Sequence, residues 1–280
     1  MLFRSGDGSL SGFGPVQIYD RVITTTEITN YFNSTVGRFV VPIHSYDAAD
    51  PTSYSGSGST FYDIGSATAI DLNINNATYD NVTDTFALAG TNTSYIRSAE
   101  PVNIGIGGNT FSVQYWFKYN GLTSQPPYNI FLQVGERGSG HFSGFNHNTY
   151  NGEFIVQKPG VGDYASSWYP TIGTWYQITM TVDASDNMIL YVDGVNTYST
   201  TTSFTAPTGS VDSISIGTPI TTIGDCVANV DFGPLNIYDY VITNTQITDY
   251  YTNTASRFSP TPPTPAGLVG GRTFGQGFAG

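Results

Sequence analysis

The stretch that decides the fold is FGPLNIYDYVITNTQITDYYTNTASRF, residues 232–258. It repeats FGPVQIYDRVITTTEITNYFNSTVGRF, residues 13–39, with 16 identities in 27 positions. In each copy apolar residues first alternate with polar ones, as in a strand buried on one face. They then recur every three to four residues, as in an amphipathic helix. Each copy is therefore predicted to be a strand followed by a short helix.

A capping box marks the predicted helix start in each copy, namely Thr24 with Glu27 and Thr243 with Gln246. In this motif the threonine hydroxyl accepts from a backbone amide of the first turn, and the Glu or Gln side chain accepts from the threonine amide. Matched caps in both copies indicate a true duplication. In the first copy, the apolar residues predicted to be buried are Ile18, Ile28, Tyr31 and Phe32. They pack either against their own sandwich or, as we favour, against a neighbouring chain that they complete by strand addition.

The spacing of the two copies predicts the domain organisation, because the repeat period is the length of a domain. Residues 40–258 are predicted to be a complete sandwich, and residues 1–39 the closing strand and helix of a preceding or partner sandwich. Residues 259–265 (SPTPPTP) indicate an extended proline-rich linker. Residues 266–280 form a glycine-rich tail, in which Phe274 and Phe278 are candidates for docking on another subunit. Disorder fits that tail equally well.

Short β-rich runs separated by Gly, Asn, Pro and Asp fill the region between the copies, as is typical of an all-β domain. Asp193-Gly194, between two such runs, predicts a tight hairpin turn. The predicted strands are residues 111–119, 129–134, 153–157, 175–182 and 188–192.

Several of these runs together resemble the ordered motifs of the laminin G-like, concanavalin A-like lectin/glucanase superfamily. The motifs are FSVQYW (111–116), GTWYQI (173–178), LYVDGV (190–195), IG (216–217) and LNIYDYVITNTQI (235–247). The resemblance implies an all-β fold, an antiparallel jelly-roll β-sandwich with short capping helices after the closing strands. The opening segment, residues 45–63, resembles such domains in phage and algal-virus structural proteins.

The charge composition excludes some functions. A net charge of −12 with nine basic residues argues against nucleic-acid binding, which needs clustered Lys and Arg. No apolar run approaches the ~18 residues of a membrane span. The single cysteine, Cys226, cannot form an internal disulfide.

A catalytic role is not predicted. Glycoside hydrolases need two carboxylates at a defined separation, and the four glutamates show no Glu-x-Asp-x-x-Glu pattern. His141 and His147 lie in a Gly- and Asn-rich stretch that reads as a polar loop rather than a zinc site. No cofactor is expected to be required.

The resemblance implies calcium as the one ion to consider, held by loop oxygens. The loop candidates are Asp163, Asp225 and Asp231, and solvated turn aspartates are the alternative. For a ligand, Tyr164, Trp168 and Tyr169 form an aromatic-rich loop that could stack on a sugar. Ordinary packing or a subunit contact is the alternative reading of these rings.

Two functions fit these observations. The first is a non-catalytic structural and adhesive protein of a virion surface, a fibre, decoration or appendage subunit. It would assemble as a homo-oligomer or with other virion proteins and face a host glycan. The chain start MLFRSG carries no secretion signal, as expected for a virion protein released by lysis, a cargo of an unusual export route or a fragment of a longer chain. The second is an extracellular lectin domain of a bacterial or algal cell-surface adhesin.

Overall fold

The computed structural model describes residues 3–4, 10–11, 21–28, 41–99, 102–106, 108–123, 128–136, 144–158, 162–202, 212–218 and 226–258. The chain divides into two compact units, Met1–Val40 and Val41–Gly280. In the first unit, strands β1 (Phe3–Arg4) and β2 (Leu10–Ser11) pair antiparallel, and residues 25–28 form a helical turn.

The second unit is built mainly from β-strands. Its strands are β3 (His44–Tyr46), β4 (Thr60–Phe61), β5 (Leu72–Asn75), β6 (Thr78–Asp80), β7 (Thr85–Ala89), β8 (Tyr95–Ser98), β9 (Phe111–Tyr119), β10 (Tyr128–Glu136), β11 (Gly144–Tyr150), β12 (Glu153–Lys158), β13 (Gly162–Ala165), β14 (Trp175–Val182), β15 (Asn187–Val192), β16 (Val195–Thr201), β17 (Asp212–Ile216) and β18 (Asn229–Tyr238). One helix, α1 (Asn244–Phe258), follows the last strand.

These strands form two antiparallel sheets, which confirms the predicted jelly-roll sandwich. The front sheet has the order β13-β12-β11-β10-β17-β8-β5-β4. The back sheet has the order β16-β15-β14-β9-β18-β7-β6, with β3 paired beside β18. The predicted strand at residues 111–119 is the central strand β9, and the Asp193-Gly194 turn joins β15 to β16 with both residues at positive φ.

The core lies between the sheets and is rich in aromatic rings. Phe117 on β9 packs against Phe131 on β10, with ring centroids 4.9 Å apart. Tyr115 on the same strand stacks on Phe232 of β18 at 5.2 Å. Because neighbouring side chains on a strand point to opposite faces, every second residue of β9 enters this core.

Helix α1 covers the outer face of the back sheet. Trp116 is directed to that face, where its ring stacks on Phe258 at 4.4 Å and its indole Nε1 donates to Thr254 Oγ1 at 2.9 Å. Trp175 also contacts Phe258, at 4.9 Å. Trp116 is thus buried beneath the helix and not between the sheets.

The glycine of the repeated Phe-Gly-Pro motif has a packing reason. A Cβ atom on Gly233 would lie 3.0 Å from Cβ of Trp116 and 3.3 Å from the ring of Phe258. Such distances are tighter than ordinary van der Waals contact, so a side chain here would push the two rings away. Because residue 233 is a glycine, strand β18 can pass close to the stacked rings of Trp116 and Phe258.

Both predicted capping boxes are present. The Thr243 amide donates to Gln246 Oε1 at 2.6 Å, and the Gln246 amide donates to Thr243 Oγ1 at 3.3 Å. In the first unit, the Thr24 amide donates to Glu27 Oε2 at 2.9 Å, and the Glu27 amide donates to Thr24 Oγ1 at 3.2 Å. Local sequence therefore specified both helix starts.

The expectation of a polar loop around His147 is wrong. Residues Gly144–Tyr150 form strand β11, and His147 is fully buried among core rings. The Tyr115 hydroxyl hydrogen-bonds its Nδ1 at 2.9 Å across the two sheets. Phe145 and Phe154 flank the imidazole at 5.0 and 5.6 Å. The histidine is a core residue of the sandwich.

Candidate functional site

Eight polar side chains form one continuous row across the front sheet, one from each strand. Backbone pairing places each member directly opposite the next, so neighbouring Cβ atoms are about 5 Å apart. In spatial order from β4 to β13, the polar row is Thr60, Asn73, Arg97, Ser215, Gln133, Asn146, Gln157 and Asp163.

The polar row lies on the outer face of the front sheet because its chain neighbours enter the core. Ser215 stands between Ile214 and Ile216, which are both fully buried in the core cluster. Arg97 likewise follows the fully buried Ile96. Strand periodicity therefore turns the row away from the sandwich interior. In the described part of the chain, the only α-helix longer than one turn covers the opposite sheet.

The middle of the polar row is inaccessible. Ser215 is 0% exposed, Asn146 is 2% exposed and Gln133 is 5% exposed. The two ends of the row remain open to solvent, with Asn73 exposed at one and Asp163 at the other. A ligand on this face can therefore reach the two ends of the row, which form two separate candidate sites, but not its centre.

The end of the row at β5 and β8 contains an open groove of about 260 Å³. Its polar lining is Ser59, Asn73, Asn75, Tyr95, Arg97 and Ser98. Asn73 lies opposite Arg97 and Asn75 lies opposite Tyr95, so the four side chains share one face. We call this cavity the Arg97 groove.

Arg97 is held over an aromatic ring within this groove. Its guanidinium carbon lies 4.4 Å from the centre of the Tyr95 ring, and Nη2 donates to the Tyr95 hydroxyl at 3.4 Å. A cation stacked on an aromatic face in this way is restrained without losing its charge. The arrangement leaves a positioned cation beside amide groups that can donate and accept hydrogen bonds.

The other end of the row, at β11 to β13, joins amides to an aromatic pair. Gln157 Nε2 donates to Asp163 Oδ1 at 2.5 Å, and the Tyr128 hydroxyl donates to Asp163 Oδ2 at 3.2 Å. Asn146 Nδ2 donates to Gln157 Oε1 at 3.0 Å. Tyr128 packs on Tyr150, which is 41% exposed, at 4.9 Å. We call this region the Tyr150 end.

The three aromatics predicted to form a sugar-binding loop lie in different environments, and Tyr164 belongs to strand β13 rather than to a loop. Tyr164 and Trp168 are partly buried and pack against the core, and Trp168 contacts Phe154 at 5.5 Å and Tyr176 at 4.9 Å. Tyr169 is 62% exposed. They therefore do not form a single exposed platform. Sugar stacking by this loop stays a prediction, and Tyr169 is the member whose ring is open to a ligand.

The aspartates predicted as calcium ligands are not brought together. Asp163 lies on β13 at the edge of the front sheet. Asp231 lies on β18 of the back sheet, where it pairs with Lys118 and accepts from Asn120 Nδ2 at 2.8 Å. The reading of these two as loop residues is wrong, because both belong to strands. Asp225 lies outside the described residues.

Metal binding itself is not tested by this arrangement. Within the described ranges, no three His, Cys, Asp or Glu side chains are grouped as a metal site would need. Those ranges also contain no helix that could span a membrane. Calcium remains an expectation drawn from the resemblance.

Of the residues predicted for assembly, the structure describes Ile28, whose side chain is 51% exposed. The proline-rich linker and the glycine-rich tail lie outside the described residues. So do the other residues predicted for assembly, namely Ile18, Tyr31, Phe32, Phe274 and Phe278.

Two carboxylates near the Tyr150 end bear on catalysis. Glu153 begins β12 and accepts from the Ser167 amide at 2.7 Å, while Asp163 contacts Gln157 near the end of the same strand. Four residues separate Glu153 from Gln157, or about 13 Å along the strand. The two strand positions are thus spaced more widely than the about 5 to 9.5 Å that separates the carboxyl groups of glycoside hydrolases.

The sequence comparisons identify a family. A model of the concanavalin A-like lectin/glucanases superfamily, Laminin_G_3, matches residues 89–248. No curated protein is similar enough in sequence to match the chain. The matched region includes β8 with Tyr95 and Arg97, and it runs into helix α1.

The solved structures with similar folds are distant in sequence. The receptor binding domain of botulinum neurotoxin type G has 14% identity and a TM-score of 0.56, with 76% of this chain and 51% of that chain covered. A Trypanosoma rangeli sialidase in complex with sialic acid has 13% identity and a TM-score of 0.57, with 76% and 33% covered. The serotype D neurotoxin ligand binding domain, in complex with N-acetylneuraminic acid, has 16% identity and a TM-score of 0.55, with 76% and 51% covered. The chain spans about half or less of these proteins, and the likeness is one of fold.

Proposed function

The chain belongs to the concanavalin A-like lectin/glucanase superfamily, and from this premise we propose that it is a non-catalytic glycan-binding module. The binding face is the outer face of the front sheet. The observation that carries the proposal is the pair of solvent-open ends of the polar row, the Arg97 groove and the Tyr150 end, where strand pairing brings hydrogen-bonding side chains together beside a tyrosine ring. Amides, hydroxyls and an adjoining tyrosine are the groups that recognise sugar hydroxyls and sugar ring faces.

Two further observations support binding without hydrolysis. The carboxylates Glu153 and Asp163 each already accept hydrogen bonds from protein groups, and the sequence has no Glu-x-Asp-x-x-Glu pattern. Two of the distant structural neighbours are named for complexes with sialic acids, which is consistent with a glycan as the ligand class.

The test is binding of the full chain to an array of immobilised glycans, with calcium and with a chelator. We expect a defined subset of glycans to bind. Asn75→Ala, on the front sheet, should weaken that binding. Asn196→Ala makes the same chemical change on β16 of the back sheet and should not. A blank array in both conditions would refute the proposal, and equal effects of the two variants would place the site elsewhere.

We further propose that the module faces outward from a virion surface, as a homo-oligomer or with other virion proteins. Residues 45–63, which resemble phage and algal-virus proteins, support this setting. The alternative is an extracellular adhesin of a bacterium or alga. Copurification of the chain with assembled particles is the expected result. Recovery of the chain solely in a cell-wall fraction would favour the adhesin.

A further inference from the structure

We propose that the Arg97 groove selects a negatively charged sugar, one that carries a carboxylate or a sulfate, and that Arg97 binds the charged group. This inference rests on the proposed glycan-binding function and names its ligand class. The guanidinium presents several N–H donors in one plane, which match the paired oxygens of a carboxylate or sulfate. Asn73 and Asn75 then face the neighbouring sugar hydroxyls.

The charge of Arg97 is not neutralised by a nearby carboxylate. In the described part of the chain no Asp or Glu oxygen lies within ion-pair distance of its guanidinium, whereas three other cations each pair with a carboxylate. Those pairs are Arg21 with Glu27, Lys118 with Asp231, and Arg257 with Asp47. Arg97 therefore keeps a positive charge that no carboxylate of the described ranges pairs with, in a chain whose net charge is −12. It supplies local attraction for an anion that the rest of the molecule repels.

The Arg97 side chain is also preorganised for ligand binding. Stacking on Tyr95 at 4.4 Å restrains the long side chain before any ligand arrives. Less rotamer entropy is then lost when the anion binds, which favours affinity. The groove is open to solvent and its volume is about 260 Å³, which suits a single sugar residue.

The experiment compares matched probes on the full chain by isothermal titration calorimetry. The probes are sialyllactose, its carboxyl methyl ester, a sulfated lactose and lactose. We expect the charged probes to bind and both neutral probes to bind about 10- to 100-fold more weakly. Raising the ionic strength should weaken binding of the charged probes alone. The carboxylate and sulfate arms identify which anion the groove prefers.

Variants connect the effect to Arg97. Arg97→Gln should reduce affinity for the charged probes to that for lactose, and Arg97→Lys should restore part of it, because lysine keeps the charge and loses the planar fork. Arg21→Gln changes the net charge equally at an exposed site and should have no effect. Circular dichroism and thermal melting confirm that each variant is folded.

The outcomes separate the two proposals. If lactose and sialyllactose bind equally well, or if Arg97→Gln binds the charged probes like the parent, the charged-ligand inference is wrong and the glycan-binding function stands. If none of these probes and no glycan on the array binds, the proposed function fails and the inference fails with it.

Discussion

The buried histidine His147 predicts that the sandwich loses stability in mild acid. Burial lowers the pKa of His147 from 6.5 to about 3, because a charged imidazole would lie among apolar groups without solvent. Its ring is flanked by Phe145 and Phe154, and its nitrogens face the Tyr115 hydroxyl and the Met180 sulfur. The folded protein therefore keeps this side chain neutral at pH values where the unfolded chain protonates it.

The size and sign of the effect follow from proton linkage. As pH falls below about 6.5 the unfolded state binds a proton that the folded state does not, so the free energy of unfolding decreases. The slope approaches about 1.4 kcal/mol per pH unit. Between pH 7 and pH 5 the loss amounts to about 2 kcal/mol. The loss continues down to the folded pKa of about 3.

Urea unfolding at pH 7, 6 and 5, followed by tryptophan fluorescence, measures this slope in the parent and in His147→Gln and His147→Phe. Both variants are expected to be less stable at pH 7, because each disturbs the Tyr115 hydrogen bond or the ring packing. The quantity to compare is the change in the free energy of unfolding per pH unit. Other titrating groups contribute equally to all three proteins, so the difference in slope isolates His147. Parallel slopes in parent and variants would refute the assignment of a buried neutral histidine.

Three further predictions concern the two copies of the repeated strand-helix segment. Phe258→Ala removes the ring that packs on Trp116 and Trp175, and it should lower the free energy of unfolding in urea by about 3 to 5 kcal/mol. Thr243→Ala removes the helix cap and should cost about 1 kcal/mol in the same assay, while Thr243→Ser should cost little. Deleting residues 1–39, which belong to a separate compact unit, should leave a folded sandwich that no longer assembles. Circular dichroism and light scattering check that outcome, and an unchanged oligomer would contradict it.

The closing segment shows how much of the fold the sequence could predict. Its strand, its helix and both caps depend on residues close together in the chain, so periodicity and the capping motif were sufficient. The strands β9 and β14 were predictable for the same reason, since most of their residues are strongly apolar or aromatic. Local interactions dominate in these elements, and tertiary contacts only reinforce them.

Strand β11 shows where local reasoning failed. Its sequence, GFNHNTY, places histidine and threonine at two of the inward positions, so the apolar alternation that marks a strand is weak. The strand exists because β10 and β12 pair on either side of it and because Tyr115 satisfies the buried imidazole. These contacts come from residues distant in the chain, which a local pattern does not contain.

The polar row could not be predicted because it depends on register. Its members are spread from Thr60 to Ser215, and a slip of one residue in any strand would turn that member into the core. Arg97 in particular looks like an ordinary polar residue between Ile96 and Ser98 until β5 places Asn73 opposite it. The aromatic loop at Tyr164, Trp168 and Tyr169 was conspicuous in sequence, yet two of its rings pack on the core.

The two open ends of the polar row differ in charge, and this difference decides what each can bind. Five strand spacings separate Arg97 from Asp163, or about 24 Å, which is well beyond the ~8 Å screening length of physiological salt. The two groups therefore act independently, with the buried centre of the row between them. Under the proposed function, a negatively charged sugar is expected at the Arg97 groove and not at the Tyr150 end, which carries the carboxylates Asp163 and Glu153. The exposed ring of Tyr150 suits an uncharged sugar instead, so the same proposal expects the two ends to prefer chemically different sugars.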